Sequence, residues 1–517
     1  MVVDSYNMEF GYELLSAVPY AYELHLKGEL EGTISGHDTE ALYYFSPKHT
    51  SNDVIRGWHN MNRARRGGLP YTYIHQYEQV DKQFPPYKEH YANTEFKWKK
   101  PTLVIGNRKN KEWNVAAINY FDNDILDWMF SSLKDKYEII YFPIRLPKEL
   151  QDNVDPEPIG DEELARDHGV KIFHDLVGDG SWNETILKVF ANCEHYITMN
   201  GGYSILASLF SGTNIIYSKP GQTQTREIAY NSFWRWYPNH NDTRTTYVPD
   251  YISLQRKIQS LYIDEDPCIN ILLRTTRPNY LKRCMASIAK QDYENINVVL
   301  ICDDDRSVVY TRDYPARMVR VQKCTEEIPK RKDPNYGKAF PANKYLDQVQ
   351  KRVKGYVMFL DDDDKFTRED SVSTIAKNVQ KNKLLVWKVD FNHGGKVIPS
   401  FSFGKGVTLY DITGIGFCYH TDHIKHTDWS EWKRADYRTA KQLSDKLGVK
   451  WVDEVLTGIQ TNPHGGSAVD LLDENLRLRY RMKYPNGKEI TQCFTKNEID
   501  AYKEHYERQG ICIEPVI

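Results

Sequence analysis

Hydrophobic positions along this chain fall into two stretches that share one rhythm. From Pro101 a compact apolar run, Thr102-Leu-Val-Ile-Gly, gives way to the polar Asn107-Arg-Lys-Asn-Lys; helical periodicity over Ile125–Leu133 and a second apolar run, Glu138-Ile-Ile-Tyr-Phe, follow. Short unbroken apolar runs suit strands buried on both faces, and their alternation with helices suits βαβ units. Lys171-Ile-Phe-His-Asp reads as a third strand and Asn183–Ala191 as a helix, with Ser181 near its start. The strand His195-Tyr-Ile-Thr-Met, the loop Asn200-Gly-Gly, a helix over Tyr203–Phe210, Gly212 and the strand Asn214-Ile-Ile-Tyr-Ser then predict a parallel sheet. The charged Ile263-Asp-Glu-Asp-Pro reads as a linker, after which the rhythm restarts. It gives a strand from Cys268, a helix over Tyr280–Gln291, a strand at Ile296–Cys302, a helix over Ala342–Val353 and a strand at Tyr356–Leu360.

The flanks are less regular. Tyr12–Leu26 is compatible with a helix, Ala41-Leu-Tyr-Tyr-Phe-Ser with a strand, and Arg63-Ala-Arg-Arg-Gly-Gly and Phe84-Pro-Pro with loops. Near the other end, Leu476–Met482 and Ile490–Phe494 flank Pro485-Asn-Gly-Lys, a hairpin signal, and Asn497–Arg508 reads as an amphipathic helix. This tail is expected to be a structural appendage.

Composition narrows the function. A chain of 517 residues is too long for one core. With 68 Lys plus Arg against 71 Asp plus Glu, no strong field recruits nucleic acid or anionic lipid in bulk, and nucleic acid is not expected as a partner. No apolar run approaches the about 20 residues that span a bilayer, so no integral membrane segment is expected. The start lacks the basic and apolar pattern of a secretory signal, and the eight cysteines form no Cys-x-x-Cys pair. Both point to a cytoplasmic, reducing location.

Chemistry concentrates at two strand ends. Ile296–Cys302 runs into Asp303-Asp-Asp, and Tyr356–Leu360 into Asp361–Asp364. Four adjacent carboxylates repel, and burying them unpaired costs several kcal/mol, so a cation or water must sit there. Mg²⁺ or Mn²⁺ carrying a phosphate ester suits such hard oxygens, and a solvated acidic turn is the plain alternative. Acid at two strand ends of one parallel sheet favours the metal, because α/β sheets bind ligands at that edge. In the first stretch, Gly201 and Gly202 would let a phosphate approach the backbone ahead of a helix N-terminus, with Arg108 as a cation at the same edge. A tight βα turn explains the same glycines.

The order of elements over about residues 100 to 250 resembles the nucleotide-binding half of GT-B glycosyltransferases. That resemblance implies Asn200, Gly201, Gly202 and Ser204 as donor-phosphate contacts, with no metal. A second resemblance is carried by Arg274-x-x-Arg277-Pro-x-Tyr-Leu, Ser287 with Gln291, Asp303-Asp304, Asn343 and Phe359-Leu-Asp-Asp-Asp-Asp, continuing through Gly414-Ile-Gly-Phe-Cys and Trp432-Lys-Arg-Ala-Asp-Tyr-Arg. Over about residues 267 to 466 this succession resembles the family 2 inverting glycosyltransferases of GT-A fold. The resemblance implies Arg274 and Arg277 flanking the nucleotide and Asp303 or Asp304 on its base or ribose. It implies Asp361 and Asp363 as a D-x-D pair holding the metal, Asp361 and Asp362 near the donor, and His464 as a further metal or diphosphate ligand. Asp436 would be the catalytic base. The family usually places Glu before that Asp where this chain has Ala435, so Glu431, Asp453 and Glu454 stay open for the role.

The expected fold class is α/β. A GT-B-like Rossmann-type region over 1–262, in lobes 1–98 and 99–262, precedes a GT-A domain over 267–466 with a mixed, mostly parallel sheet and an appendage over 467–517. The expected function is bifunctional. The second domain transfers a sugar from a nucleotide-diphospho-sugar to a glycan or glycoconjugate acceptor, with Mn²⁺ or Mg²⁺ and inversion, and the first is a metal-independent transferase. The alternative is a single GT-A activity whose first domain only holds acceptor or partner. A nucleotidylyltransferase would carry a Gly-rich loop after its first strand, and a calcium module an EF-hand spacing; neither is present.

Overall fold

The computed structural model describes residues 1–52, 56–57, 60–70, 73, 82–109, 117, 119–143, 157–219, 243–275, 277–303, 307, 311, 314, 316–321, 342–391, 396–459, 478–483, 489–494 and 512–515. They form two compact units, Met1–Glu265 and Asp266–Ile517.

In the first unit, β1 (Val2–Asp4), β2 (Gly32–Ser35) and β3 (His49–Ser51) make a small parallel sheet. A larger sheet holds β4 (Thr102–Asn107), β5 (Glu138–Pro143), β6 (Lys171–Ile172), β7 (Cys193–Met199), β8 (Gly212–Tyr217) and β9 (Thr243–Val248). Its order is β6-β5-β4-β7-β8-β9 and every pairing is parallel. That is the 3-2-1-4-5-6 order of doubly wound nucleotide-binding sheets. Both faces are buried, as the apolar runs predict. Leu103 and Ile105 point into one core and Val104 into the other.

The core around Val104 also takes in Leu14, Leu15 and Val18 from the helices Phe10–Leu15 and Ala17–Leu26. The small and large sheets therefore share one interior. Gly11 and Gly202 bring two helices together so closely that a Cβ on Gly202 would lie 3.0 Å from the Gly11 nitrogen. Asp38 completes the junction. Its carboxylate accepts from the Ser181 hydroxyl and, at 2.9 Å, from the Asn183 amide at the start of helix Trp182–Ala191.

Three expectations in this unit are corrected. Ala41–Ser46 is not a strand, because Glu40–Tyr43 forms a 3-10 turn that buries Leu42 and Tyr43. The Arg63 segment is part of a helix, Asn60–Arg66, with Ala64 buried. Strand β6 stops at Ile172, and Phe173–Val177 turns into a helix that buries Phe173.

In the second unit, β10 (Ile269–Arg274), β11 (Ile296–Cys302), β12 (Arg317–Arg320) and β13 (Tyr356–Asp361) are parallel neighbours in the order β12-β11-β10-β13. The sheet continues through β14 (Asp364–Phe366), β15 (Leu384–Asp390), β16 (Val397–Ile398), β17 (Phe417–His420) and β18 (Val449–Ile459). There β15–β18 is parallel, whereas β13–β17, β15–β17, β15–β16 and β14–β18 are antiparallel. The sheet is mixed, but evenly so rather than mostly parallel. Its antiparallel half was hidden because β17 enters the sheet between β13 and β15, out of sequence order.

In the tail, β19 (Leu478–Lys483) pairs antiparallel with β20 (Glu489–Phe494), and β21 (Cys512–Pro515) lies on its other side. The turn Pro485–Lys488 and the helix expected over Asn497–Arg508 lie outside the described residues. Among the described residues, no helix is long and apolar enough to cross a membrane.

Candidate active site

The register of the second sheet builds its carboxyl edge. Arg274, the last residue of β10, lies opposite Asp361, the last of β13. Its guanidinium grips that carboxylate with two bonds, Nε to Oδ1 at 2.7 Å and Nη2 to Oδ2 at 2.8 Å. Paired charge of this bidentate kind is the strong form of the interaction. Asp362 is only 2% exposed and receives the Arg277 amide at 2.7 Å, the Arg277 Nε at 2.9 Å and the Thr275 hydroxyl at 3.2 Å. Arg277 also reaches Asp363 at 2.7 Å.

Two arginines thus supply much of the positive charge that the acidic run demands. Asp362, expected near the donor, is buried, and its oxygens accept from Thr275 and Arg277 on the loop after β10. Asp364 is buried too, and Oδ2 accepts from the Asp361 amide at 2.7 Å. Burial first, then the Asp361 charge, pushes its carboxyl well above the usual range. One oxygen each of Asp361, Asp363 and Asp364 lies within 4.8 Å of the others. Hard carboxylate oxygens gathered this closely fit Mg²⁺ or Mn²⁺. Asp361, Asp363 and Asp364 make up that group.

The helix Asn343–Gln350 ties the edge together. Asn343 accepts from Arg274 Nη1 at 3.3 Å and donates to the Trp432 carbonyl at 2.7 Å. Tyr345 donates to Asp303, the residue just past β11, at 3.2 Å. Tyr345 carried no signal in the sequence, because a tyrosine on a helix usually fills a core. Asp304 and His464 lie outside the described residues.

Asp436 opens the helix Ala435–Leu447, partly buried, with Oδ1 accepting its neighbour Tyr437's amide at 2.8 Å. Burial raises its carboxyl above the ordinary range, and the Tyr437 amide and the Arg274 charge offset part of that rise. The Arg274 charge therefore acts on both the acidic turn and Asp436. The turn before the helix is fixed by Arg438, which donates to Asp428 at 2.7 Å, Ser430 at 2.8 Å and the Lys433 carbonyl at 2.6 Å. Gly414 lies alongside, since a Cβ there would be 3.8 Å from the Asp436 Cβ. The other candidate carboxylates each face a cation. Glu431 faces Lys344 at 3.7 Å, Asp453 pairs with Lys388, and Glu454 pairs with Arg368.

At the corresponding edge of the first sheet, the Gly-Gly turn is filled at Gly202. A Cβ on Gly202 would meet Phe10 Cδ1 at 2.9 Å, so the space kept by that glycine belongs to a neighbouring helix. The Ser204 hydroxyl donates back to the Gly201 carbonyl at 2.7 Å, and the helix behind it, Gly202–Ala207, is six residues long. Asn200 is buried, its amide bonded to Tyr217 at 3.0 Å. Arg108 follows β4, the strand next to β7. The structure gathers these residues at one edge without an open cradle at Gly202.

Residues 273–403 match the family model of glycosyl transferase family 2, a segment that contains the arginines, Asp303 and the acidic turn but ends before Asp436. The second unit thus carries a glycosyltransferase domain. Among solved structures, the chain is similar to S. aureus TarS 1-349 in complex with UDP-GlcNAc, at 16% identity over 40% of this chain and 62% of that one, TM-score 0.28. It is similar to a mannosyltransferase from Pyrobaculum calidifontis in complex with GDP-Man and Mn²⁺, at 12% identity over 39% and 59%, TM-score 0.26. A third is glucosyl-3-phosphoglycerate synthase from Mycobacterium tuberculosis with Mg²⁺ and UDP, at 13% identity over 48% and 93%, TM-score 0.27. The chain spans about three fifths of the length of the first two. No curated protein matches it.

Proposed function

From a glycosyl transferase family 2 domain at residues 273–403, we propose that the second unit transfers a sugar from a nucleotide-diphospho-sugar to an acceptor hydroxyl, with inversion and with a divalent metal. The observation that carries this is the gathering of Asp361, Asp363 and Asp364 at the carboxyl edge of the sheet, with Arg274 paired to Asp361. Asp363 and Asp361 would hold Mn²⁺ or Mg²⁺, with Asp364 in the same group. Bound there, the metal supplies Lewis acidity to the departing diphosphate. Asp436 takes the proton of the acceptor hydroxyl as that oxygen attacks the anomeric carbon. Attack opposite the leaving group inverts that centre. Asp303, oriented by Tyr345, contacts the nucleotide's base or ribose, and Arg274 and Arg277 hold the loop that receives it.

The full chain is tested by a nucleotide-sugar turnover screen with and without Mn²⁺. An Asp361→Ala/Asp363→Ala chain is expected to lose the metal-dependent turnover by about a thousandfold. Metal-dependent turnover that survives the double substitution would remove the reading.

The first unit is assigned a second, metal-independent transfer, favoured by the 3-2-1-4-5-6 parallel order of its large sheet. With Gly202 occupied, its donor site is assigned to the switch between β4 and β7, where Arg108 and Asn200 lie. Turnover without metal in the Asp361→Ala/Asp363→Ala chain supports it. Complete loss across a broad donor panel leaves the first unit as a holder of acceptor or partner.

A further inference from the structure

The loop between β16 and β17 is organised by one carboxylate. Asp411 is fully buried and accepts from the Ser400 amide at 2.9 Å, the Ser402 amide at 2.8 Å and the Ser400 hydroxyl at 3.0 Å. Because Asp411 points inward, its neighbour Tyr410 points out and is 68% exposed. Because the Ser400 and Ser402 amides are drawn inward, Phe401 between them is 58% exposed. Among the described residues of the second unit, these are the exposed large hydrophobic side chains. Both rings are set outward by the same buried carboxylate, Asp411, which anchors the backbone beside each.

The same loop is tied to the base. Arg434, two residues before Asp436, donates Nη2 to the Tyr410 hydroxyl at 2.7 Å and lies 5.0 Å from its ring centre. Both residues carry the left-handed backbone, φ 70° at Tyr410 and φ 66° at Arg434. Bulky side chains take that conformation rarely, and it clusters where function requires it. The loop then leads to Gly414, beside Asp436. The Tyr410 ring and the Arg434 cation are thus held, at a conformational cost, two residues from the carboxylate assigned as base, with Phe401 on the same loop.

We propose that Phe401, Tyr410 and Arg434 form the acceptor subsite, in which the apolar face of a pyranose lies on the aromatic rings and its hydroxyl edge meets Arg434. The proposal rests on the transferase reading, since it identifies the acceptor as a saccharide entering beside Asp436. A sugar ring has an apolar face and a polar rim, matching a ring surface with a polar handle.

The test uses the full chain and its Tyr410→Ala, Tyr410→Phe and Phe401→Ala variants. Saturation-transfer NMR is run with maltotriose, mannotriose, chitotriose and cellotriose, and calorimetry with UDP and GDP in Mn²⁺ serves as donor-side control. At least one trisaccharide is expected to bind the wild type. Tyr410→Ala should weaken it about tenfold, and Phe401→Ala less, whereas Tyr410→Phe stays within about twofold. Nucleotide binding is expected to stay unchanged in all variants, which a merely structural role for an exposed ring would not separate. Trisaccharide binding untouched by Tyr410→Ala overturns the proposal. So does the absence of any trisaccharide binding to a chain that binds nucleotide. Saccharide binding that follows Tyr410 in a chain that binds neither nucleotide supports the subsite and sinks the transferase reading instead.

Discussion

The Asn200-Gly201-Gly202 turn of the first unit and the Asp361–Asp364 turn of the second both close a central parallel strand. Each reads in the sequence as a place for phosphate, one by its small residues and the other by its charge. The structure fills the space over them differently. Over Gly202 stand Phe10 and Gly11, so its missing side chain serves helix packing. Over the acidic turn stand Arg274 and Arg277, which neutralise part of the charge and leave Asp361, Asp363 and Asp364 gathered within 4.8 Å. A glycine marks a close approach without saying what approaches. A carboxylate run states a charge problem, whose solution is visible only once its partners are placed.

The largest expected effect tests the catalytic side of this contrast. Asp436→Asn should lower kcat by about 10²–10⁴-fold in a steady-state assay while nucleotide affinity holds. Because burial raises the Asp436 carboxyl, wild-type kcat should fall on acidification through a midpoint above about pH 4, the ordinary Asp value. The sign for stability is opposite. A raised folded pKa means that the folded chain binds this proton more tightly than the unfolded one. Wild type should therefore lose stability relative to Asp436→Asn as pH rises from about 4 to 7, read from urea midpoints.

Next comes the charge pairing. Arg277→Ala leaves Asp362 buried without its guanidinium, and a loss of about 3 kcal/mol is expected in urea denaturation. An unchanged midpoint would show that the pairing is not what settles the acidic turn. Smallest are the glycines. Gly202→Ala places a Cβ against backbone and should cost about 1–3 kcal/mol, whereas Gly201→Ala meets only Met199, at 3.7 Å, and should cost less than about 1 kcal/mol. Equal effects of the two on melting, or a selective loss of nucleotide binding, would reopen the turn as a phosphate cradle.

Much of the fold was legible in the sequence. The apolar runs at Thr102, Glu138, His195, Asn214, Cys268, Ile296 and Tyr356 all lie on strands, because strands buried on both faces leave an unbroken signature. An aromatic run such as Ala41–Ser46 suits a strand and a buried 3-10 turn equally, and the Arg- and Ala-rich Arg63–Arg66 suits a helix as well as a surface loop. In the candidate site, the carboxylates were visible one by one. Their pairing was not, since Arg274 meets Asp361 across 87 residues and Asn343 meets Trp432 across 89. Tyr410 and Arg434 went unseen because backbone handedness at a non-glycine residue leaves no mark in a hydrophobic pattern.

The Asp38 junction bears on how the first unit can move. A small parallel sheet before a large one invites the picture of two jaws opening on a hinge near residue 98. The Asp38 carboxylate, riveted to Ser181 and Asn183, and the Gly11–Gly202 crossing fasten the jaws at two points, with a continuous core between. The two sheets of the first unit are thus packed as one body across this junction.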